Sequence, residues 1–556
     1  MERLIEHSGH KVAPASRWRR IAFVELILLA VAAIFVGLHG LHLRADFPNH
    51  SPWMDWAKYT DEGWYGDAAI RHFQRGDWYV PGDFNPAAAL PVWPLTESLV
   101  FHFTGVSVIA ARALTVAIFA VILWCVYLLV RRWHRLQHPG ERSLAPAISV
   151  LLLSTSPFCY AFSRMAILEP LLIVLTLLAL LSASYVPCEN AVEAQRSWWG
   201  GSLPVLGIGV LLPLMVLTKT TAVFLLPAVA WLLFARSGYR LRVALRVMVP
   251  VALLAVSIWG LYYGLVVRPR FLADYRYLFS VNSYSGLNVQ NFFAVLSESF
   301  SDGMWIGPIL YPLAILAMFF AAFIRPRLLK NPLLVALALW SMGYFAFILY
   351  HDNLQPRYYL VTVVPMTVFT VLVFERAFRG ENWRRLSTIP AASLCTASLI
   401  AMAVSDARQT LDYVLHPEYT FVAAAQQIRR IIDSDRTHSP LVLSISGSDL
   451  SLITGIPSIC DDFGTMDLED RVKTYHPGWY VAWNQVDDDK MDALTSVYRV
   501  QRVASFPTMD DPDRNLMILY RLDPILRQTK PRLGHRGPRL EAASFIRRAS
   551  EAEKQP

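Results

Sequence analysis

The run LAPAISVLLLSTSPFCYAFSRMAILEPLLIVLTLLALLSASY, residues Leu144–Tyr185, decides the class of fold to which this chain belongs. Its only charged residues are Arg164 and Glu169. A transmembrane helix needs about 20 consecutive, predominantly apolar residues, and the run holds two stretches near that length, Leu144–Tyr160 and Met165–Tyr185. It therefore predicts two helices that cross a membrane, joined by a short turn around Arg164.

Similar runs recur along the 556 residues, which are 54% hydrophobic and only 17% charged. Soluble globular proteins carry about 25% charged residues. This composition excludes a disordered chain, a nucleic-acid-binding module and an ordinary soluble enzyme. The formal net charge is +8, and we expect the basic residues to lie in loops beside the membrane. Membrane lipids are therefore expected partners, and nucleic acid is not.

Eleven apolar runs are predicted to be spans, two of them short. Besides the two named above they are Ile21–Leu41, Ala113–Val130, Leu203–Leu217, Thr220–Phe234, Val243–Val267, Gly303–Ile324, Pro332–Tyr350, Tyr358–Phe374 and Ile389–Val404. With eleven spans, the basic clusters of the connecting loops all fall on one side of the membrane: Arg131–Arg142, Arg236–Arg246, Arg325–Lys330 and Arg376–Arg385. By the positive-inside rule that side is the cytoplasm.

This topology divides the chain into four parts. Residues 1–20 form a cytoplasmic N-terminal tail, and 21–405 form the transmembrane region with one large external loop, 43–112. Long ordered loops are usually functional. Residues 406–523 form an extracytoplasmic domain, and the basic segment 524–556 is predicted to be disordered.

The external C-terminal domain shows both helix and strand patterns. Glu418–Asp433 has helical spacing, whereas Leu441–Ile445, Trp479–Trp483 and Leu516–Leu522 have strand patterns. Because helices and strands alternate, a small α/β domain is predicted. The expected fold class is thus mainly α, a polytopic helical core with a small α/β domain at its end.

Adjacent carboxylates in the external loop are the first candidates for chemistry. In the stretch Tyr59–Asp67, Asp61 and Glu62 follow Thr60, and one carboxylate could act as a general base on a hydroxyl. The alternative is an ordinary helix start, with Thr60 as N-cap and both acids in the first turn. Composition alone favours that alternative.

Ionisable residues at the outer ends of apolar runs are further candidates, since burial of a charge near lipid is costly. Arg164 and Glu169 bracket the start of a span and indicate a structural ion pair. Lys219, alone between two apolar runs, indicates a side chain that extends to the interface. Arg357 opens a span on the side where basic residues are rare, which favours an anionic partner.

Together these positions predict one outward-facing site with paired carboxylates and several cations. Such a set suits transfer of a group from a phosphate-activated, lipid-borne donor. The cations would hold the phosphate, and the carboxylate would take a proton from the acceptor.

Short motifs along the chain also resemble those of one family of membrane enzymes, in family order. Thr60–Tyr65 and Arg75–Trp78 resemble its first external loop, Arg164–Pro170 its Arg…Leu-Asp/Glu-Pro motif, Leu217–Lys219 its Lys-containing turn and Pro356–Leu360 its Arg-Tyr…Pro motif. The family is the integral-membrane GT-C glycosyltransferases. The similarity is greatest to the group that uses dolichyl- or polyprenyl-phosphate sugars, such as protein O-mannosyltransferases and the aminoarabinose transferase of lipid A.

The resemblance implies a GT-C membrane core and inverting transfer of a hexose or pentose from a polyprenyl-phosphate donor, on the extracytoplasmic face of a bacterial inner membrane. It implies that Asp61 is the catalytic acidic residue, with Glu62 beside it. Lys219, Arg357 and Tyr358 match the positions that would bind the donor phosphate. The acceptor stays open between a lipid, a glycan and a protein.

One departure from the lipid A transferases bears on the substrate. The segment Ala87–Pro94 stands where those enzymes have Glu-Lys-Pro-Pro, which argues against aminoarabinose transfer and against a metal held there. No metal ligand is predicted and no cofactor is required, although carboxylates accept a divalent cation. Two other functions remain, a flippase of lipid-linked saccharide and a non-catalytic scaffold. Transporters tend to carry internal repeats, and none is visible here.

The topology can be tested with reporter fusions. Reporters placed after Arg142, Arg246 and Arg385 should report the cytoplasm, and those after Asp302 and Asp433 the opposite side, because the basic loops set orientation. Enzymatic activity of alkaline phosphatase and fluorescence of a cytoplasmic reporter provide the measurement. A single inversion among the five points would contradict the span count.

Overall fold

A computed structural model describes residues 15–186, 198–281, 289–351, 355–377, 389–484, 487–509, 511 and 514–525. Most of the two predicted tails, residues 1–14 and 526–556, therefore lies outside the described residues. The helices that precede the C-terminal domain are α1 (Ala15–His39), α2 (Asp61–Arg75), α3 (Val92–Thr104), α4 (Val108–Gln137), α5 (Ala145–Thr155), α6 (Pro157–Ser163), α7 (Leu168–Tyr185), α8 (Trp198–Thr218), α9 (Leu226–Arg236), α10 (Leu241–Tyr262), α11 (Leu272–Val281), α12 (Val289–Asp302), α13 (Leu310–Phe319), α14 (Pro332–His351), α15 (Leu360–Ala377) and α16 (Ile389–Leu415).

The long apolar runs form helices, as predicted. Six described helical segments are long and apolar enough to cross a membrane, or up to eight if each of two bent pairs counts as one span. The runs predicted as short spans, Leu203–Leu217 and Thr220–Phe234, lie in apolar helical segments of only 10–17 residues. The mainly α class is confirmed, whereas the number eleven stays a prediction.

One predicted span is broken. The run Leu144–Tyr160 contains α5 and α6, which meet at an angle of 67°. Pro157 is the first residue of α6, and a proline inside a continuous helix would remove a hydrogen bond and clash with the preceding turn. Ser156 instead caps the new helix, and its Oγ accepts a hydrogen bond from the Cys159 amide at 3.2 Å.

Two further segments are helical beyond the predicted spans. The segment Arg268–Asp302, which connects the predicted spans Val243–Val267 and Gly303–Ile324, is helical wherever it is described, because it holds the end of a π-helix, α11 and α12. The last predicted span, Ile389–Val404, is part of α16, which continues to Leu415. This helix runs across the boundary predicted at residues 405 and 406, and that boundary stays a prediction.

The C-terminal part is a small α/β unit, as predicted. It contains α17 (Thr420–Ser434), β1 (Val442–Leu443), α18 (Gly447–Thr454), β2 (Ser458–Ile459), α19 (Leu468–Tyr475), β3 (Trp479–Trp483), α20 (Asp488–Thr495), β4 (Tyr498–Pro507) and β5 (Leu516–Pro524). The strand order is β2-β1-β3-β5-β4, with the first three parallel and the last two antiparallel to their neighbours. Every residue of β3 is buried, because the sheet is covered on both faces.

The segment 43–112, predicted to be the first external loop, is packed against this unit. Asp46 of the loop caps α17, since its carboxylate accepts hydrogen bonds from the Thr420 hydroxyl at 3.0 Å and the Phe421 amide at 2.9 Å. Helix α2 lies on α18. The approach is so close that a Cβ on Gly63 would lie 2.1 Å from the backbone carbonyl carbon of Ser448. Only glycine fits at this position of α2.

Substitution of Gly63 tests this contact. Gly63→Ala should lower the free energy of unfolding by about 1–3 kcal/mol, because overpacking forces backbone to move. The matched control is Gly260→Ala in α10, where no heavy atom lies within 4 Å of the added Cβ, so alanine should be neutral or stabilising. Thermal unfolding in nanodiscs measures both. A Gly63→Ala variant that unfolds at or above the wild-type temperature would contradict the packing of α2 on α18.

Candidate functional site

Asp61 is the first residue of α2 and lies at the centre of the site. The helix starts where the sequence predicts, but Thr60 makes no side-chain cap. Its hydroxyl donates instead to the carbonyl of Trp56 at 2.9 Å and to Asp61 Oδ1 at 3.0 Å. Asp61 is only 1% exposed. Both acids lie in the first turn after Thr60, as the helix-start alternative predicts, but Asp61 is buried.

Arg357 provides the cation that faces Asp61. Its Nη2 lies 3.0 Å from Asp61 Oδ2. A second acid, Asp55, holds Arg357 in place, because it accepts a hydrogen bond from the Arg357 amide at 2.8 Å and binds its guanidinium through Nη1. The distance between the Arg357 guanidinium and the Asp61 carboxylate makes this contact an ion pair, but its angles are not those of a hydrogen bond. Within the described part of the chain, the buried Oδ2 of Asp61 has no hydrogen-bond partner.

Lys219 is buried, so the prediction that its side chain extends to the interface is wrong. Its ammonium group pairs with Glu169 and lies 4.3 Å from the ring centroid of Tyr358. The guanidinium of Arg357 lies 4.9 Å from the same ring. Two cations therefore flank one tyrosine, an arrangement in which the electron-rich ring face attracts both charges. The three residues predicted to bind the donor phosphate lie together.

Arg164 and Glu169 do not form the predicted ion pair. Glu169 is occupied by Lys219, and Arg164 donates to the hydroxyl of Tyr160 and, through Nη2, to the carbonyls of Leu41 and His42 at 2.8 and 2.7 Å. The two side chains are close in sequence, but the residues between them leave α6 and enter α7. Each side chain therefore meets its partner from a different part of the chain.

Glu62 faces away from Asp61. Its carboxylate accepts hydrogen bonds from Arg112 Nε at 2.8 Å and Nη2 at 2.5 Å, and from the Ala166 amide at 2.9 Å. The pair is buried, with 3% of Glu62 and 7% of Arg112 exposed. These contacts connect α2 to α4 and to the turn before α7, so Glu62 fixes the position of the helix that carries Asp61.

Asp61, Lys219, Arg357 and Tyr358 line one cavity of about 160 Å³. Glu62 is not among the described residues that line it. A second cavity of about 300 Å³ lies next to the first and shares its wall residues Thr220, Thr221 and Phe279; its other described lining residues are mainly apolar, among them Val216, Leu217, Val223, Phe224, Trp259 and Tyr350. A charged cavity thus lies next to an apolar one.

The protonation of Asp61 follows from its surroundings. Burial raises the pKa of its carboxyl group, the charge of Arg357 lowers this pKa, and the nearby carboxylate of Asp55 raises it further. The net effect is a raised pKa. Such a carboxylate holds a proton more readily than an exposed one, as a general base requires.

Sequence reasoning missed several buried charged residues around the site. Arg112, like the candidates named in the sequence analysis, is an ionisable residue at the outer end of an apolar run. The same criterion could therefore have identified it. Asp55 lies in a Trp- and Pro-rich stretch without a sequence pattern that would have indicated a functional residue. Burial also raises the pKa of Glu97 and of Asp449 well above the usual carboxyl range, which favours their neutral forms.

Among the described residues, no cluster of three or more His, Cys, Asp or Glu side chains could hold a metal ion. The sequence predicts no metal ligand and leaves a divalent cation open, and both points stay predictions.

The structural role of Glu62 can be tested. Glu62→Gln should lower the free energy of unfolding by about 3–5 kcal/mol, because Arg112 would keep a buried charge without its counter-ion. The control is Glu469→Gln, which breaks a half-exposed pair with Lys473 and should cost about 0–1 kcal/mol. Thermal unfolding gives both values. Wild-type stability combined with lost activity in Glu62→Gln would instead favour the predicted catalytic role.

Comparison with known proteins places this geometry in context. Residues 86–262 match the family model of dolichyl-phosphate-mannose-protein mannosyltransferases, which is less than half of the chain. No curated protein sequence matches the chain.

Solved structures show the same fold. The crystal structure of ArnT from Cupriavidus metallidurans bound to undecaprenyl phosphate matches with a TM-score of 0.51 at 15% identity, over 91% of this chain and 98% of that one. The archaeal oligosaccharyltransferase AglB from Archaeoglobus fulgidus, in complex with an inhibitory peptide and a dolichol-phosphate, matches with a TM-score of 0.50 at 12% identity, over 89% and 74%. The resemblance drawn from the motifs is confirmed at the level of the fold: this chain has the GT-C fold of these proteins and contains helices long and apolar enough to cross a membrane.

Proposed function

We propose that this protein transfers a hexose or pentose from a polyprenyl-phosphate donor to an acceptor hydroxyl on the extracytoplasmic face of the membrane, with inversion at the anomeric carbon. One observation carries the proposal. A buried carboxylate oxygen without a hydrogen-bond partner in the described chain, Asp61 Oδ2, lies in the same cavity as two cations, Lys219 and Arg357. This arrangement offers an acceptor for a proton beside a binding site for an anion.

The chemistry follows from those charges. Asp61 takes the proton of the acceptor hydroxyl while the hydroxyl oxygen forms a bond to the anomeric carbon of the sugar. The bond between that carbon and the phosphate oxygen breaks, and its electron pair leaves with the polyprenyl phosphate. Lys219 and Arg357 stabilise the charge that develops on the leaving oxygen. Attack from the face opposite the phosphate inverts the anomeric centre.

The resting ion pairs add a step to this mechanism. Arg357 faces two carboxylates and Lys219 faces one, so a bound phosphate has to share both cations. As Arg357 turns its charge toward the phosphate, Asp61 loses part of the interaction that lowers its pKa. Donor binding would thereby make Asp61 a stronger base when the acceptor arrives.

The adjoining apolar cavity supports a lipid-borne donor. A polyprenyl chain needs an apolar path beside the site that binds its phosphate, and the wall formed by Thr220, Thr221 and Phe279 belongs to both cavities. The two similar structures contain undecaprenyl phosphate and dolichol-phosphate respectively, which supports the same class of donor here. The sidedness rests on the distribution of basic loops.

Replacement of Asp61 tests the mechanism. Asp61→Asn should lower turnover by about 10²–10⁴-fold, because the general base is lost, while the affinity for the donor is retained. The assay follows transfer from radiolabelled polyprenyl-phosphate sugars to endogenous acceptors in inverted and right-side-out vesicles. In the wild type, activity should fall as the pH drops through the raised pKa of Asp61, above the usual aspartate value of about 3.9.

The control for this assay is Asp433→Asn, which changes an exposed acid of α17 that pairs with Arg429, and it should leave turnover unchanged. Wild-type turnover in Asp61→Asn would remove the mechanism. A flippase of lipid-linked saccharide would move the labelled donor between leaflets and leave its sugar–phosphate bond intact.

A further inference from the structure

Three aromatic rings from distant parts of the chain meet at the wall of the cavity that contains Asp61. Trp64 belongs to α2, Phe84 to the first external loop and Phe463 to the C-terminal domain. The ring centroid of Trp64 lies 5.3 Å from that of Phe84 and 5.1 Å from that of Phe463. The centroids of the two phenylalanine rings are 5.5 Å apart. All three side chains line the cavity.

The loop that carries Phe463 is held at both ends by one buried cation. The guanidinium of Arg471, which is 1% exposed, donates through Nη1 to the carbonyl of Cys460 at 2.5 Å and through Nη2 to the carbonyl of Met466 at 2.7 Å. Phe463 lies between these two carbonyls. A connection between a strand and a helix, here β2 and α19, does not ordinarily need such a clamp.

The same loop is fixed to the rest of the molecule. Asp83 of the first external loop accepts a hydrogen bond from the Cys460 amide at 2.9 Å and is paired on its other oxygen with Arg71 at 2.5 Å. Tyr277 of α11 accepts a hydrogen bond from the Gly464 amide at 2.9 Å. The backbone on both sides of Phe463 is therefore positioned before any ligand binds.

Trp64 is positioned in a similar way. Its indole Nε1 donates to the carbonyl of Ile445 in the C-terminal domain at 2.9 Å, so the plane of the ring is fixed. Trp64 and Phe84 are each 8% exposed, and Phe463 is half-buried. Rigid aromatic surfaces of this kind bind ligands with little loss of conformational entropy.

We propose that Trp64, Phe84 and Phe463 form the wall that binds the sugar ring of the donor. This inference rests on the proposed function, because Lys219 and Arg357 are taken to hold the donor phosphate. The sugar is covalently attached to that phosphate, so it has to occupy the same cavity. The C–H groups on one face of a sugar ring form an apolar surface, which packs on aromatic rings.

The assignment makes the C-terminal domain part of the donor site. Phe463 is contributed by that domain, and its loop is clamped by contacts to the first external loop and to α11. The choice of sugar is then determined at the junction of these three segments. The charged end of the cavity recognises the phosphate and does not distinguish one sugar from another.

The experiment compares two probes on the full-length protein in nanodiscs, undecaprenyl phosphate and a set of undecaprenyl-phosphate hexoses carrying mannose, glucose or galactose. In Phe463→Ala, the affinity for the best glycosylated lipid should fall by about 3- to 10-fold, the range expected for one aromatic contact. The affinity for the bare lipid phosphate should not change. Phe463→Leu should lose nearly as much as the alanine variant, whereas Phe463→Tyr should retain wild-type affinity.

The matched control is Phe506→Ala. Phe506 is also half-buried in the C-terminal domain but packs against the sheet core and is not among the described residues that line the cavity. It should change neither affinity, and thermal unfolding of all variants shows that they fold.

The outcomes separate the inference from the function on which it rests. Equal losses for both probes in Phe463→Ala, no loss for either, or a change confined to the acceptor would each overturn the aromatic wall while leaving the phosphate site intact. A wild-type protein that binds undecaprenyl phosphate no better than undecaprenol would refute the phosphate site, and with it both proposals.

Discussion

Pairing of buried charge is the constraint on which the arrangement of the site depends. Transfer of an ion from water into a protein interior costs several kcal/mol even after relaxation, so a buried carboxylate has to meet a cation or take up a proton. Arg357 meets Asp55 and Asp61, Arg112 meets Glu62, and Lys219 meets Glu169. Every one of these pairs joins residues at least 50 positions apart in sequence. The pairs therefore fix the external loop against the helical core.

These pairs also set what the resting site can do. Around Asp61 and Lys219, three carboxylates face two cations, and a phosphate would add a further negative charge. Binding is favourable only if one carboxylate gives up its share of a cation or takes up a proton. Asp61 and Glu169 each have an oxygen without a hydrogen-bond partner in the described structure, and Asp61 is the one that lines the cavity, where burial raises the pKa of its carboxyl group. The charge balance thus couples occupancy of the phosphate site to the proton affinity of the base.

The sequence predicts the helices and strands more directly than it predicts which side chains pair with one another. Lengths of apolar runs predict the helices, and short apolar and aromatic runs predict β3 and β5, because both signals are local in the sequence. Adjacent acids such as Asp61 and Glu62 differ in direction by about 100° around a helix, and the sequence does not state which of them faces a cavity. Arg164 and Glu169 looked like a pair for the same local reason, and each found a partner elsewhere. Phe463 gave no signal, since its position depends on a clamp that only the folded chain assembles.

The relation between the external loop and the C-terminal domain explains why the loop is ordered. A Trp- and Pro-rich segment of this length could not bury enough surface by itself. Asp46 instead caps α17, Gly63 allows α2 to lie against the backbone of Ser448, and Asp83 holds the Cys460 amide. The domain buries one side of the loop while Arg112 and Arg357 hold the other side to the helical core. Asp61 lies between these two sets of contacts. A catalytic group held from both sides keeps its geometry without reorganisation when substrate arrives, which is the condition for electrostatic catalysis in a buried site.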